Sequence, residues 1–181
     1  MSKAVSNLSC GIYVINLDRS PKRLEEISEQ LARAGLSFHR VVAVDGKEAT
    51  PEQLSQLDEA SYQRKHGKLS LPGELGCYLS HVEAIGQFLR SGHSYAVILE
   101  DDAILEDGFI SVVQYLSQHP EQWDMVKLSG MHGGTPLKLG ALSGGHCLAV
   151  PLSRYTGSSC YLVNRKVARL FADRLLPMKL P

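Results

Sequence analysis

Apolar residues run almost without interruption through Gly11-Ile-Tyr-Val-Ile-Asn-Leu17, a stretch rich in β-branched side chains. Such a run predicts a strand covered on both faces, where a half-exposed strand would alternate. Ser20-Pro21 then supplies an N-cap and a proline at the first helical position. Leu24, Ile27, Leu31 and Ala34 recur at helical spacing, and Gly35 offers a stop. Phe38 to Val44 is the next predicted strand, closed by the turn residues Asp45-Gly46. Strand, helix and strand in this order make a βαβ unit, which implies a largely parallel sheet.

Further along, Thr50-Pro51-Glu52-Gln53 has the form of a capping box before Leu54 and Leu57. Ser61 to Pro72 is polar and basic without periodicity, and is expected to be a mobile loop. After Pro72-Gly73, a helix carrying Leu75, Tyr78, Leu79, Val82, Ile85 and Leu89 should end before Gly92. Tyr95 to Leu99 is the central strand, and it runs straight into Glu100-Asp101-Asp102. Phe109, Val112, Val113 and Leu116 predict another helix, and Met125 to Leu128 another strand. Gly130 to Gly145 reads as turns that a hairpin would accommodate, and Cys147 to Val150 and Ser159 to Val163 as short strands. Asn164 is placed to cap a last helix with Val167, Leu170, Phe171 and Leu175. Leu176 to Pro181 reads as a lead-in to a further element.

Composition narrows the classes. The chain has 181 residues, a length that fits one domain spanning 1–181. Nineteen basic residues balance nineteen acidic ones, so no net field steers the chain toward nucleic acid or an anionic membrane. No apolar stretch reaches the roughly 18–20 residues of a spanning helix, and Met1 to Cys10 lacks the apolar core of a signal peptide. Cys10, Cys77, Cys147 and Cys160 lie far apart, in neither a disulfide framework nor a paired zinc pattern. Free buried thiols in a reducing compartment are expected, hence a cytoplasmic protein, with peripheral attachment to a membrane face left open.

The carboxylate triplet is the strongest chemical signal. Three adjacent acids at the mouth of a buried strand repel one another and resist desolvation. A hard cation such as Mg²⁺ or Mn²⁺, carrying a substrate phosphate, would offset that cost. If extended geometry persists, Glu100 and Asp102 point one way and Asp101 the other. The plainer reading is an acidic turn before a helix that Asp107 helps to cap. Asn16-Leu-Asp-Arg-Ser-Pro-Lys-Arg23 sets basic groups beside a helix start, a reasonable cradle for phosphate; solvated first-turn residues are the alternative. Glu74, Tyr78 and His81 share one helix face, where Ser80 and His81 either contact a ligand or complete the edge of a core. His132 and His146 sit on glycine-rich backbone without trusted ligand spacing. No GxGxxG, GxxxxGK[ST] or GxSxG pattern is present.

Taken together, Ile12 to Arg23, Gly73 to His81 and Val97 to Ala103 resemble glycosyltransferase family 25 in order and spacing, and Thr156 to Leu170 is similar to the segment before its C-terminal helix. The resemblance implies a GT-A-like nucleotide-binding α/β fold, with a mostly parallel mixed central sheet flanked by helices. It implies a UDP-sugar donor, UDP-galactose or a related one, and Mn²⁺ or Mg²⁺. Carried over by position, Glu100-Asp101-Asp102 replaces a DxD-type motif, with Asp102 and Glu100 as metal ligands. Asn16, Arg19, Arg23, Ser80, His81, Glu100 and Asp101 are the expected donor contacts. The activity implied is metal-assisted transfer of a hexose to a lipooligosaccharide or other saccharide. The alternatives are a degenerate sugar-nucleotide-binding domain, or another metal-dependent nucleotidyl or glycosyl transferase. Asp45, Glu74, Asp124 and His146 are unranked candidates for the base. Relatives of this family continue beyond the Leu176 region, so a C-terminally shortened chain is also expected.

Overall fold

The computed structural model describes residues 10–131 and 134–180. The expectations for Met1 to Ser9 and for His132 fall outside the described residues. In chain order the elements are β1 (Cys10–Asn16), α1 (Pro21–Arg33), β2 (His39–Val42), α2 (Pro51–Ser55), α3 (Glu59–His66), α4 (Pro72–Arg90) and β3 (Tyr95–Glu100). They continue with α5 (Phe109–Gln118), β4 (Met125–Lys127), β5 (Pro136–Ala141), β6 (Cys147–Pro151), β7 (Cys160–Asn164) and α6 (Arg165–Arg174).

The central sheet has the order β2-β1-β3-β7-β4, and β5-β6 forms a separate antiparallel hairpin. β1 pairs in parallel with β2 and β3, as the βαβ pattern requires, while β7 runs antiparallel to β3 and to β4. The sheet is therefore mixed, with its parallel part in the N-terminal half of the chain. Every residue of β1 is buried, which is why its sequence does not alternate. Its side chains still divide between two layers. Ile12 and Val14 pack with Val97, Leu99 and Leu162 against Ile27 and Leu31 of α1 and Val113 and Leu116 of α5. Tyr13 and Ile15 pack with Ile98 and Val163 against Ala84, Ile85 and Phe88 of α4 and Ala168 of α6.

Most helix boundaries follow from their caps. Gly35 adopts φ 70° just beyond α1. Thr50 and Gln53 form the reciprocal capping box of α2, and the Asn164 side chain accepts from the Val167 amide at the start of α6. Two expectations change. The polar segment from Ser61 is not all loop: α3 covers its first half, through His66, capped by Asp58 and ended by Gly67 in the left-handed region. Its only fully buried side chain is Tyr62, so no apolar stripe announces it. The tail also docks. Met178 is fully buried, its amide donates to the Gln56 carbonyl at 2.7 Å and its carbonyl accepts from the Asp58 amide at 2.9 Å. The thiols divide as well: all four are free, Cys10 and Cys160 are buried, but Cys77 and Cys147 are exposed. No described helix is long and apolar enough to cross a membrane.

Arg165 closes the far end of the molecule. Its guanidinium donates to the carbonyls of Phe88, Leu89, Ser91 and His93 at 2.7–3.4 Å and lies over the Phe88 ring. It satisfies C-terminal carbonyls of α4 that have no partner within the helix, and its charge complements the negative end of the helix dipole. Replacing Arg165 by Met should lower unfolding free energy by about 2 kcal/mol in urea denaturation, because several carbonyls lose a charged donor together.

Candidate functional site

A pocket of about 200 Å³ opens where β1 and β3 end, between the start of α1 and the N-terminal half of α4. The C-terminal ends of parallel strands are where open α/β sheets place ligands. Asn16, the last residue of β1, is fully buried. Its Nδ2 donates to the Ser20 carbonyl at 3.0 Å and to Asp101 Oδ2 at 2.7 Å, and its Oδ1 accepts from Arg40 Nε at 3.0 Å. With both N–H groups committed, Asn16 braces the site from behind and does not present a free group to a ligand.

The acidic triplet does not continue as a strand. β3 stops at Glu100, and the Ala103 amide donates back to the Glu100 carbonyl at 3.2 Å, closing a turn. The expected alternation is lost with it. Asp101 and Asp102 instead share one cation: Arg23 Nη1 lies 3.2 Å from Asp101 Oδ1 and 3.3 Å from Asp102 Oδ2. Asp101 is largely buried and Asp102 is half exposed. Arg19 pairs with Asp45, and Arg40 Nη2 donates to Asp18 Oδ1 at 2.5 Å. Asp107 does not cap α5, whose first turn has no side-chain cap.

Glu100 faces the other way, toward α4. Its Oε1 accepts from Ser158 Oγ at 3.2 Å and lies 3.4 Å from His81 Nε2. The His81 hydrogen bond holds the Glu100 carboxyl below its ordinary range, outweighing the opposing effect of burial, with further help from Ser158 and the Arg23 charge. His81 Nδ1 is 3.1 Å from the Tyr161 hydroxyl, which fixes the ring. One helical turn before His81, Cys77 lines the same pocket. Burial there, then the charges of Glu100 and Asp102, push its thiol up to about 11. Among the described residues, Cys77, His81 and Glu100 are the one group of three or more possible ligand side chains whose donor atoms all lie within 4.8 Å.

Ser80 does not reach the pocket interior as a free hydroxyl. It is 1% exposed, donates to the Gly76 carbonyl at 2.6 Å and accepts from the Val44 amide at 2.8 Å. That bond and two glycines lay the chain after β2 directly on α4. A Cβ on Gly76 would stand 2.6 Å from the Val44 carbonyl oxygen, and one on Gly46 would overlap the Pro72 carbonyl. Sequence reasoning missed Cys77, Ser158, Tyr161 and Arg40. Only Cys77 carried a usable signal, its spacing of four from His81.

The candidate bases fare poorly. Asp124 holds Asn164 and Lys166, at the opposite end of β7 from the pocket. Glu74 is occupied by Lys68 Nζ, the Tyr62 hydroxyl and the Leu71 amide. His146 lines a separate cavity of about 980 Å³. Asp45 borders the pocket but is ion-paired to Arg19. The triplet likewise does not fit Mn²⁺ or Mg²⁺, which need several convergent oxygen ligands. Arg23 sits where two of the carboxylates meet, and the third has turned toward a nitrogen and a sulfur. Asp102, expected as the direct ligand, stands outside the convergent group.

A mixed sheet flanked by helices, with a polar pocket at the ends of its parallel strands, defines a GT-A-like α/β fold. The chain belongs to glycosyltransferase family 25: the family model, described as "Glycosyltransferase family 25 (LPS biosynthesis protein)", matches residues 10–134. It is 32% identical over 125 residues to a "Glycosyltransferase 25 family member" of Drosophila melanogaster, covering 64% of this chain and 20% of that one. It is 30% identical over 125 residues to the "Probable inactive glycosyltransferase 25 family member 3" of Rattus norvegicus, covering 65% and 22%. The match to the human "Inactive glycosyltransferase 25 family member 3" is 28% over 178 residues, covering 94% of this chain and 30% of that one. The chain thus spans between a fifth and a third of these relatives' length.

These matches correct the expectation of an active metal-dependent transferase. A match that extends over nearly the whole chain is to a protein named inactive. The geometry at the pocket agrees: among the described residues no expected base stands both within it and free of a cation, and of the two expected metal carboxylates Asp102 is paired with Arg23 while Glu100 is held by His81 and Ser158.

Glu74 illustrates how far its role is structural. The Lys68 hydrogen bond, then the Leu71 amide, hold its carboxyl below the ordinary value of 4.5. A carboxyl depressed in the folded state stabilises above its unfolded pKa, and that contribution disappears as pH falls through the folded pKa. The stability difference between the native chain and Glu74→Gln should therefore be present at neutral pH and shrink progressively below pH 4.5. It should stay within about 1 kcal/mol, since solvent screens the Lys68 pair. Denaturation midpoints measured across pH check the sign.

Proposed function

We propose that this domain binds a sugar nucleotide of the UDP-galactose class without transferring the sugar. The observation that carries the reading is the convergence of Arg19, Arg23 and Lys47 on the pocket beside the start of α1, which has no side-chain cap. Uncapped helical amides and guanidinium groups are a ready site for a diphosphate. On binding, the diphosphate takes over Arg19 and Arg23 from Asp45 and from the acidic turn. A pocket of about 200 Å³ accommodates the diphosphate and its immediate neighbours, with the rest of the nucleotide along the open rim.

The family supports the donor class, and the names of two relatives support binding without turnover.

Calorimetry in metal-free buffer tests the first half: UDP-galactose and UDP should each bind. Arg23→Ala should weaken both by about tenfold or more, as expected for loss of one charge-assisted contact. A UDP-release assay with saccharide acceptors, including lipooligosaccharide, tests the second half and should stay at the protein-free rate. Absence of binding heat for both ligands overturns the reading, and so does acceptor-dependent UDP release.

A further inference from the structure

We infer that Cys77, His81 and Glu100 bind a borderline-soft divalent cation of the zinc class. This site shares Glu100 with the acidic triplet but takes its other two ligands from α4, and it does not depend on sugar-nucleotide binding. Cys77 and His81 stand four residues apart on α4, so one helix face presents sulfur and nitrogen together, a spacing used by helical zinc sites. β3 delivers Glu100 from the facing sheet, and the three donor atoms lie within 4.8 Å of one another.

The distances suit one small ion. Tetrahedral zinc with bonds of about 2.0–2.3 Å sets its ligand atoms about 3.3–3.7 Å apart. His81 Nε2 and Glu100 Oε1 are 3.4 Å apart. Cys77 closes the remaining gap by rotation of its exposed side chain. A histidine that ligates through one nitrogen usually has the other held by a partner. Here the Tyr161 hydroxyl, on the buried strand β7, holds Nδ1 at 3.1 Å and leaves Nε2 directed at Glu100. Ser158 Oγ, 3.2 Å from Glu100 Oε1 and 3.5 Å from His81 Nε2, borders the fourth position.

Charge and ligand softness point the same way. Metal binding releases the Cys77 proton, and the resulting thiolate together with the Glu100 carboxylate balances a divalent ion, leaving a neutral cluster in a partly buried site. A mixed sulfur, nitrogen and oxygen set favours zinc or cobalt over Mg²⁺, which demands oxygen and six-fold geometry.

Cobalt(II) titration of the metal-free full chain, anaerobically and without nucleotide, reads the site directly. Four-coordinate d–d bands should appear together with a sulfur-to-cobalt charge-transfer band. Zn²⁺ should abolish both, and a tenfold excess of Mg²⁺ should leave them. Cys77→Ser should remove the charge-transfer band and Cys147→Ser should keep it, while His81→Gln should weaken cobalt binding at least tenfold. A second measurement uses only the native chain: Zn²⁺, and not Mg²⁺, should protect Cys77 from iodoacetamide while Cys147 continues to react. A charge-transfer band that survives Cys77→Ser, or equal Cys77 alkylation with and without Zn²⁺, overturns the inference. Neither readout involves a nucleotide, so failure here is distinct from failure of the proposed ligand.

Discussion

Everything at the pocket depends on the side chain of Asn16, buried at the end of the first strand with its two N–H groups and its carbonyl engaged. It joins three pieces of chain that sequence separates: the turn into α1 through Ser20, the acidic turn through Asp101, and β2 through Arg40. Each group left unsatisfied there would cost about 1–3 kcal/mol. The three segments therefore hold one relative position, and the pocket wall is set before any ligand arrives. Aspartate at this position would put a carboxylate against Asp101, and leucine would leave Asp101 Oδ2 and Arg40 Nε without the partner they have here.

The same bonds explain how three adjacent carboxylates persist at the end of a buried strand. A metal is one way to offset their repulsion; the fold also surrounds the three with protein partners. Asp101 takes Asn16 and Arg23, Asp102 shares Arg23, and Glu100 turns to His81 and Ser158. The turn at Asp101-Asp102 makes this division geometrically available, because it removes the alternation that would have aligned Glu100 with Asp102. The consequence is a pocket rich in charge whose aspartates are already paired with arginine. Such a site can exchange a carboxylate for a phosphate on a guanidinium.

Much of the fold was legible because the N-terminal half obeys simple rules. β1 and β3 are unbroken apolar runs, α1 and α4 carry regular stripes, and Thr50, Gln53 and Asn164 cap as their residue types indicate. The antiparallel entry of β7 was not legible, since a four-residue apolar run reads the same in either direction. α3 was hidden because one buried tyrosine does not make a stripe. At the site, the sequence identified the segments but misjudged individual roles. Asn16 and Ser80 looked like ligand contacts because they are polar groups at motif positions. Burial turns both into braces, which no spacing argument reveals. Arg40 and Ser158 enter from distant parts of the chain and carry no local pattern at all.

The two readings of the pocket share a wall. Arg19 and Arg23 lie on the α1 side, Cys77 and His81 on the α4 side, and Glu100 and Asp101 on the floor between them. A divalent ion held by Cys77, His81 and Glu100 would cancel negative charge on that floor without displacing Arg23 from Asp101. It would raise the local potential that a diphosphate meets while leaving both arginines in place, so that cation and anion favour each other's binding by a coupling that runs equally in both directions. In such an arrangement the cation stabilises a bound state. A catalytic ion would have to contact the departing diphosphate itself, and here the sulfur and nitrogen ligands draw it toward the α4 wall instead. That separation agrees with the proposed reading, in which a nucleotide is bound and the sugar is not transferred.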